Sequence, residues 1–416
     1  MTLQNNRRPY EGLKVLDFGR VLVVPYLTQL LCDMGATVYK VEQPGRGADE
    51  RLLEPIKKNQ SGYFMMLNRG KKSIALDLKK PEAIAIIKEL VKKVDVVVQN
   101  FKPGVMDKLG LSYEELKKVN PQVIMISVSI YGSKGPKSQV PGYDIIAQAT
   151  SGLMWFTGYK DGPPLRSGTS IGDVNCGVHA GTALGAALWH RMKTGEGSHI
   201  DMSMRDCLSS VLETMVPRYT MSDGQDNPMR SGNQHSTMGP YGVFQGPENA
   251  YFAIGAINPG ILRRIYHLFG RPELCDSPDY TDPGFLARNI DWEVKFIEDG
   301  LKSLGTIENV LATTIKHNIP CAKVMDIGEV LHDEQFLFRE MLVEVNDPVF
   351  GPVKLPGTPI RFDALKTGPQ GPPPKLGEHT GEVLQQELGY SKEKLDDLFA
   401  KGIAGREEII QYKKKK

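Results

Sequence analysis

The sequence predicts an α/β protein, with a Rossmann-like open parallel sheet in a large domain and a smaller α/β domain after it. Three observations carry that prediction. Short apolar runs alternate with amphipathic stretches across residues 12–132, as successive strand–helix–strand units require. Prolines and glycines stand where such helices start and stop. The chain then changes character, first into Gly-, Pro- and Ser-rich loops over 133–170, and again from about residue 220.

In order, GLKVLDFGR is a buried strand over Lys14–Phe18 that ends at Gly19. VVPYLTQLLCDMGA is a helix with Pro25 in its first turn and Gly35 as its stop. TVYKVEQPG is a second strand, closed by Pro44 and Gly45. KSIALDLK, PEAIAIIKELVKKV and DVVVQNF continue as strand, helix and strand. SYEELKKVN is a short helix and QVIMISVSIYG another buried strand. YDIIAQATSGLMW is expected as one helix among loops, and EGSHIDMSMRDCLSSVLETMV as a strand and then a helix. In the second region NAYFAIGAI is a strand. PGILRRIYHLFG, NIDWEVKFIEDGLKSL and TIENVLATTIKHN are helices, IPCAKV a short strand, and IGEVLHDEQFLFREMLVEV a helix leading into a strand. The stiff connection TGPQGPPPKLGEHT then carries the chain onward to two short helices. The expected domains are 1–215, 216–335 and a segment 336–416 that returns to complete the first.

Between these elements lies SIGDVNCGVHAGTALGAALWHR, where one acid, Asp173, heads a long small-residue stretch. An Asp there can be a helix N-cap, accepting a backbone N–H. It can also be a reacting carboxylate, with small neighbours that let a large ligand approach.

Bulk composition excludes several functions. The chain has 416 residues, 51 Lys and Arg against 49 Asp and Glu, and a net charge of +2. No nucleic-acid footprint stands out at that balance, and the Lys413–Lys416 tail is expected to be solvated. Five cysteines without a C-x-x-C pair disfavour a disulfide framework or a zinc site and fit a reducing cytoplasm. MTLQNNRRPYEG lacks the apolar core of a secretory signal, and no apolar run is long enough to span a bilayer. No membrane partner, no metal and no permanently bound cofactor is therefore expected.

The first strand–helix turn, DFGRVLVVPY, has no G-x-G-x-x-G, so a nicotinamide enzyme is disfavoured even though Glu42 stands where a ribose-binding acid would. Basic segments do fall at strand ends. PGRGADER carries Arg46 and Arg51, NRGKKSIALDLKK carries Lys71, Lys72 and Lys79, and QNFKPG carries Asn100, Phe101 and Lys102. Ligands of open α/β sheets bind at those ends, and an aromatic beside an amide and lysines suits an adenine and its phosphates.

Read in order, GLKVLDFGRV, GATVYKVEQPGRGADER, NRGKKSIALDLK, DVVVQNFKPGVMDKLGLSYEELKKVNP, the GYD turn, GDVNCGVHAG, TGEGSHIDMSM, IPCAKV and LGEHTGEVLQQELGYS resemble the class III CoA-transferases, typified by formyl-CoA and carnitine CoA-transferases. The resemblance covers nearly the whole chain. It implies that Asp173 is the nucleophile, with coenzyme A thioesters and a free carboxylic acid as substrates. It implies that Val21, Leu22 and Val23 line the CoA site. Leu76 to Lys79, Asn100 to Lys102 and Lys108 would hold the nucleotide, and Tyr143 and Met204 would lie near the thioester. It also implies a ring-shaped chain in an interlocked homodimer. An Asp of ordinary pKa is ionised at neutral pH, and backbone N–H groups near Gly172 are expected to stabilise the oxyanion.

Departures from the family pattern narrow the substrate. Gln43 stands where some members have Arg, Pro141 where formyl-CoA transferase has Lys, and RSGNQHSTMGPYGVF where that enzyme has a glycine-run flap. Leu153, Met154, Trp155 and Phe156 replace small residues, which points to an apolar acid larger than formate or oxalate. The α-methylacyl-CoA racemases share the resemblance but carry a histidine at the position of Tyr143, so transfer is preferred to epimerisation. A non-catalytic CoA-binding protein is the remaining alternative.

Overall fold

The computed structural model describes residues 7–410, so the Lys413–Lys416 tail lies outside the described residues. The chain divides into two compact units. The first contains the described residues of Met1–Ser151, Thr169–Val211 and Glu334–Lys416. The second contains Gly152–Gly168 and Leu212–Asp333.

The first unit is built on six parallel strands: β1 (Lys14–Asp17), β2 (Thr37–Glu42), β3 (Lys72–Ala75), β4 (Val96–Gln99), β5 (Ile124–Ser129) and β6 (Ser198–Ser203). Their order across the sheet is β3-β2-β1-β4-β5-β6. Val15, Leu16, Val96, Val97 and Val98 are wholly buried. Parallel strands covered on both faces read as continuous apolar runs, which is why these strands were legible. The order reverses between β1 and β4, so the loops after those two strands open a crevice.

Seven helices of this unit matter for the site: α1 (Val23–Asp33), α2 (Gly62–Asn68), α3 (Pro81–Val91), α4 (Tyr113–Val119), α5 (Asp144–Ser151), α6 (Ile171–Thr194) and α7 (Met204–Ser209). The single helix expected over YDIIAQATSGLMW is two pieces, α5 and a turn over Leu153–Phe156. Gly152 separates them at φ 100°, a left-handed conformation that ends a helix. α2, which carries Tyr63, was not foreseen.

The segment after Glu334 packs on the first unit. Its Pro-rich part is held by its carbonyls, with Pro372 O accepting from Gly70 N at 2.9 Å and Pro374 O from the Arg51 guanidinium at 3.0 Å. The helices Thr380–Leu388 and Lys392–Ala400 bury Val383, Leu384, Leu395 and Leu398 in one core with Leu16, Tyr39 and Ile74. A hairpin pairs Leu342–Asp347 with Gly351–Pro356, whose second strand was not foreseen.

The second unit has an antiparallel three-stranded sheet of Tyr241–Gln245, Tyr251–Gly255 and Cys321–Lys323, with the middle strand central. The helices Pro259–Leu268, Ile290–Ser303 and Ile307–Lys316 pack on it around Phe244, Phe252, Leu262, Leu301 and Val310. Among the described residues no helix is long and apolar enough to cross a membrane.

Candidate active site

The site starts from the tight connection between β1 and α1. Asp17, the last residue of β1, is fully buried. It accepts from Gly19 N at 2.6 Å, from Thr28 Oγ1 at 2.6 Å and from Lys71 Nζ at 3.2 Å. A Cβ on Gly19 would stand 2.4 Å from Val24 Cγ1 and 2.7 Å from Asp17 Oδ1, so only glycine allows this closure. Val21 follows at φ 63°, a left-handed conformation unfavourable for a β-branched residue.

Three contacts hold that strained turn. Glu50 Oε2 accepts from Val21 N at 3.1 Å, and Glu50 is paired with Lys40 at 2.7 Å, both fully buried. Lys40 Nζ donates to Gly19 O at 3.0 Å. From the loop after β4, Asn100 Oδ1 accepts from Arg20 N and Asn100 Nδ2 donates to Arg20 O, each at 2.9 Å. Asn100 thus clamps the two crevice loops together.

The second component is the start of α6. Its N-cap position is Ser170, which makes no side-chain cap, and Asp173 lies in the first turn. The cap comes from far back in the chain. Asp144 Oδ1 accepts from Gly172 N at 2.7 Å and Asp173 N at 3.3 Å, while Asp144 Oδ2 accepts from Gln148 at 2.6 Å. A Cβ on Gly172 would sit 2.8 Å from Asp144 Oδ1, so that approach requires glycine. Of the two readings of Asp173, the N-cap is therefore ruled out, because that position belongs to Ser170. The same contacts engage the Gly172 and Asp173 N–H groups that were expected to serve an oxyanion.

Asp173 instead faces the backbone N–H of Val23, at the N-terminus of α1. Each carboxylate faces the start of another helix, Asp173 on α1 and Asp144 on α6. Burial raises the Asp173 pKa most, and the Asp144 carboxylate beside it raises it further, against the smaller pull of the Val23 N–H. The result is about 7 in place of 3.8, so Asp173 is not the ordinary low-pKa carboxylate expected. The same two acids and Glu50 contribute to raising the Tyr63 hydroxyl to about 12, though burial is the larger cause.

A cavity of about 510 Å³ opens over these groups. Asp173, Asp144, Tyr143, Met204, Val21, Val23, Asn100, Phe101 and Lys102 line it, together with Arg20 and the apolar Val128, Ile130 and Val140. Tyr143 is 73% exposed, whereas Met204 is buried. Leu22 is buried at the cap position of α1. The remaining predicted residues stand elsewhere. Leu76 is in the core, with its main chain bridged to Ala404. Lys72 pairs with Glu382 at 2.7 Å, and Lys79 and Lys108 are exposed outside the cavity walls. Lys71 points inward. Its Nζ donates to Asp17, Thr28, Asn68 and Pro25 O, because a buried ammonium needs every proton satisfied. Glu42 is likewise held by Arg51 at 2.7 Å and pushed down to about 2, leaving it bound within the fold.

Sequence reasoning missed Asp144, Glu50, Lys40 and Arg20. Only Asp144 had a visible signal, as the acid of the GYD turn next to Tyr143. Among the described residues no group of three or more His, Cys, Asp or Glu could hold a metal ion.

Comparison with known proteins gives the family. A family model described as CoA-transferase family III matches residues 10–380. A succinyl-CoA:glutarate CoA-transferase of Mus musculus is 34% identical over 97% of this chain and 92% of its own length. An acetyl-CoA:oxalate CoA-transferase of Acetobacter aceti is 37% identical over 93% of this chain and 97% of its own. The crystal structure of a CAIB/BAIF family protein from Brucella suis superposes with a TM-score of 0.80 at 33% identity, covering 92% of this chain and all of that one.

Proposed function

Because the chain belongs to CoA-transferase family III, we propose that Asp173 carries the transfer of coenzyme A from an acyl-CoA thioester to a free carboxylic acid. The observation that supports this best is the buried Asp173 carboxylate, raised to about 7 beside Asp144 on the wall of the 510 Å³ cavity.

An Asp173 oxygen attacks the donor carbonyl, giving a mixed anhydride and releasing CoA thiolate. The thiolate attacks the aspartyl carbonyl, releasing the donor acid and leaving an aspartyl-CoA thioester. The acceptor carboxylate attacks that thioester and again frees the thiolate, which takes the acceptor's acyl group and restores Asp173. Each covalent state of Asp173 is neutral. Acylation therefore removes one of two neighbouring buried charges, a relief on the order of 2–4 kcal/mol after allowance for solvent screening. The raised pKa also makes the ionised carboxylate a stronger nucleophile.

For the acceptor, glutarate and oxalate in the names of the similar enzymes support a short dicarboxylic acid. The second reading is the apolar acid larger than formate or oxalate, favoured by the Val21, Val128, Ile130 and Val140 walls. A panel of acyl-CoA donors and free acids separates them by kcat/KM. The nucleotide would lie along Phe101 and Lys102, with Tyr143 near the thioester. A cytoplasmic homodimer fits the five free cysteines and the exposed Val178, Trp189 and Met192 of α6, and light scattering tests the dimer. The decisive experiment is Asp173→Ala. Transfer should fall by at least about 10³-fold, and hydroxylamine should trap a modified Asp173 in the wild type only. Retained transfer in the variant would sink the assignment.

A further inference from the structure

A second cleft of about 460 Å³ in the first unit shares no wall residue with the Asp173 cavity. His179, Asp206, Cys207, Lys134 and Tyr131 bound it. Behind Cys207 lies Cys176, and the two thiols are neighbours. Both cysteines are free. They meet because α7 packs on the first turn of α6, where a Cβ on Gly172 would be 3.1 Å from Leu208 Cδ1.

The pair is asymmetric. Cys207 forms part of the cleft wall, whereas Cys176 is fully buried. The neighbouring Cys176 thiol lowers the Cys207 pKa most, and His179 adds to that effect against the opposing effect of burial. His179 Nδ1 lies 3.0 Å from Asn175 O, to which it must donate, and this fixes the ring in the cleft. Cys176 is pushed up by its Cys207 neighbour and by burial, so it keeps its proton. A cleft-wall thiol of lowered pKa with a buried thiol behind it is the arrangement of an attacking and a resolving cysteine.

We propose that Cys207 and Cys176 form a redox pair that a small hydroperoxide closes into a disulfide, slowing the transferase site. The Cys207 thiolate attacks one peroxide oxygen, the O–O bond breaks, and the other oxygen leaves and is protonated to water or alcohol. This leaves Cys207 as a sulfenic acid. Cys176 sulfur then attacks the Cys207 sulfur, the S–O bond breaks, and the hydroxyl leaves as water with the Cys176 proton. The two sulfurs together lose two electrons and the hydroperoxide gains them.

The link to the active site is short. Cys176 lies three residues after Asp173 on α6, about one helical turn away. Cys207 lies three residues after Met204 at the start of α7. Asp173 and Met204 both line the main cavity. Closing an S–S bond between the two thiols draws the two helix starts together. A misplacement of about 1 Å near reacting atoms slows catalysis by up to about 100-fold.

The activity part of this proposal rests on the Asp173 reading, whereas disulfide formation does not. Reduced full-length enzyme is treated with graded hydrogen peroxide, alkylated, digested and analysed by mass spectrometry, with CoA transfer assayed in parallel. The expected result is a Cys176–Cys207 linked peptide and a fall in rate of about tenfold or more, reversed by dithiothreitol. Cys207→Ser and, as a second variant, Cys176→Ala should abolish both the linkage and the reversible loss. Sulfinic or sulfonic acids without the linked peptide, or pairing with other cysteines, overturn the proposal. A linked enzyme whose rate stays within about twofold of the reduced form overturns the switch. If Asp173→Ala retained transfer while the linked peptide still formed, the Asp173 reading would fail and the thiol pair would stand.

Discussion

Asp144 is the residue that most changes what Asp173 can do. It caps α6 and places a like charge against the Asp173 carboxylate. Asp144→Asn keeps an oxygen for Gly172 N and removes the charge. The acidic limb of kcat/KM, expected near pH 7 in the wild type because only the ionised carboxylate attacks, should move down by roughly 1 unit in that variant. A limb that stayed in place would assign the shift to burial alone. The stability effect of Asp173 has the opposite sign. Its folded pKa lies above the ordinary 3.8, so the folded state holds an extra proton between about pH 4 and 7. Its contribution to stability therefore declines as pH rises through that window. Asp173→Asn should accordingly melt higher than the wild type at pH 8 and about equally at pH 3, while losing transfer. Calorimetry at the two pH values checks this.

At the scale of elements, the β1–α1 turn is a strained piece held from three sides, by Glu50, Lys40 and Asn100. The strain at Val21 is tolerated because the turn sets the Val23 backbone against Asp173. Val21→Gly relieves it. We expect unchanged or slightly higher stability, by up to about 1 kcal/mol, together with a raised KM for acyl-CoA because the turn is no longer held in one shape. Denaturant melts and steady-state kinetics on the same preparation test both halves. A variant that lost stability would show that Val21 packs more than it strains. The turn itself was beyond sequence reasoning. DFGRVLVVPY showed the lack of dinucleotide glycines, but nothing in it marks Val21 as left-handed.

At the scale of the whole molecule, charge is used as core. Asp17, Lys40, Glu50 and Lys71 are buried under the sheet crevice, with Lys71 pushed down to about 8 chiefly by burial and held charged chiefly by Asp17. Removing one member leaves an unpaired buried charge. Lys71→Met should cost about 3–5 kcal/mol, while KM for acyl-CoA in the folded fraction changes by less than about twofold. Asp17→Leu with Lys71→Met should recover most of the loss. A large rise in KM without destabilisation would restore Lys71 to the ligand rim where its sequence position had put it. The basic segment NRGKKSIALDLKK looked like one solvated edge, yet its lysines divide among the core, an ion pair and the surface.

Strand and helix order, the parallel sheet and the prominence of Asp173 were legible because each rests on short-range pattern. Apolar runs of strand length, prolines at helix starts and an acid before small residues all follow from local backbone geometry. The pairings were not legible. Asp144 reaches Gly172 across 28 positions, Asn100 reaches Arg20 across 80, and Lys71 reaches Asp17 across 54. A buried charge takes whichever partner the packed chain brings near, and packing is decided by the burial of the sheet as a whole. Asp173 could be singled out from the chain as the candidate, but its acidity and the turn that faces it were decided only when distant segments closed around it.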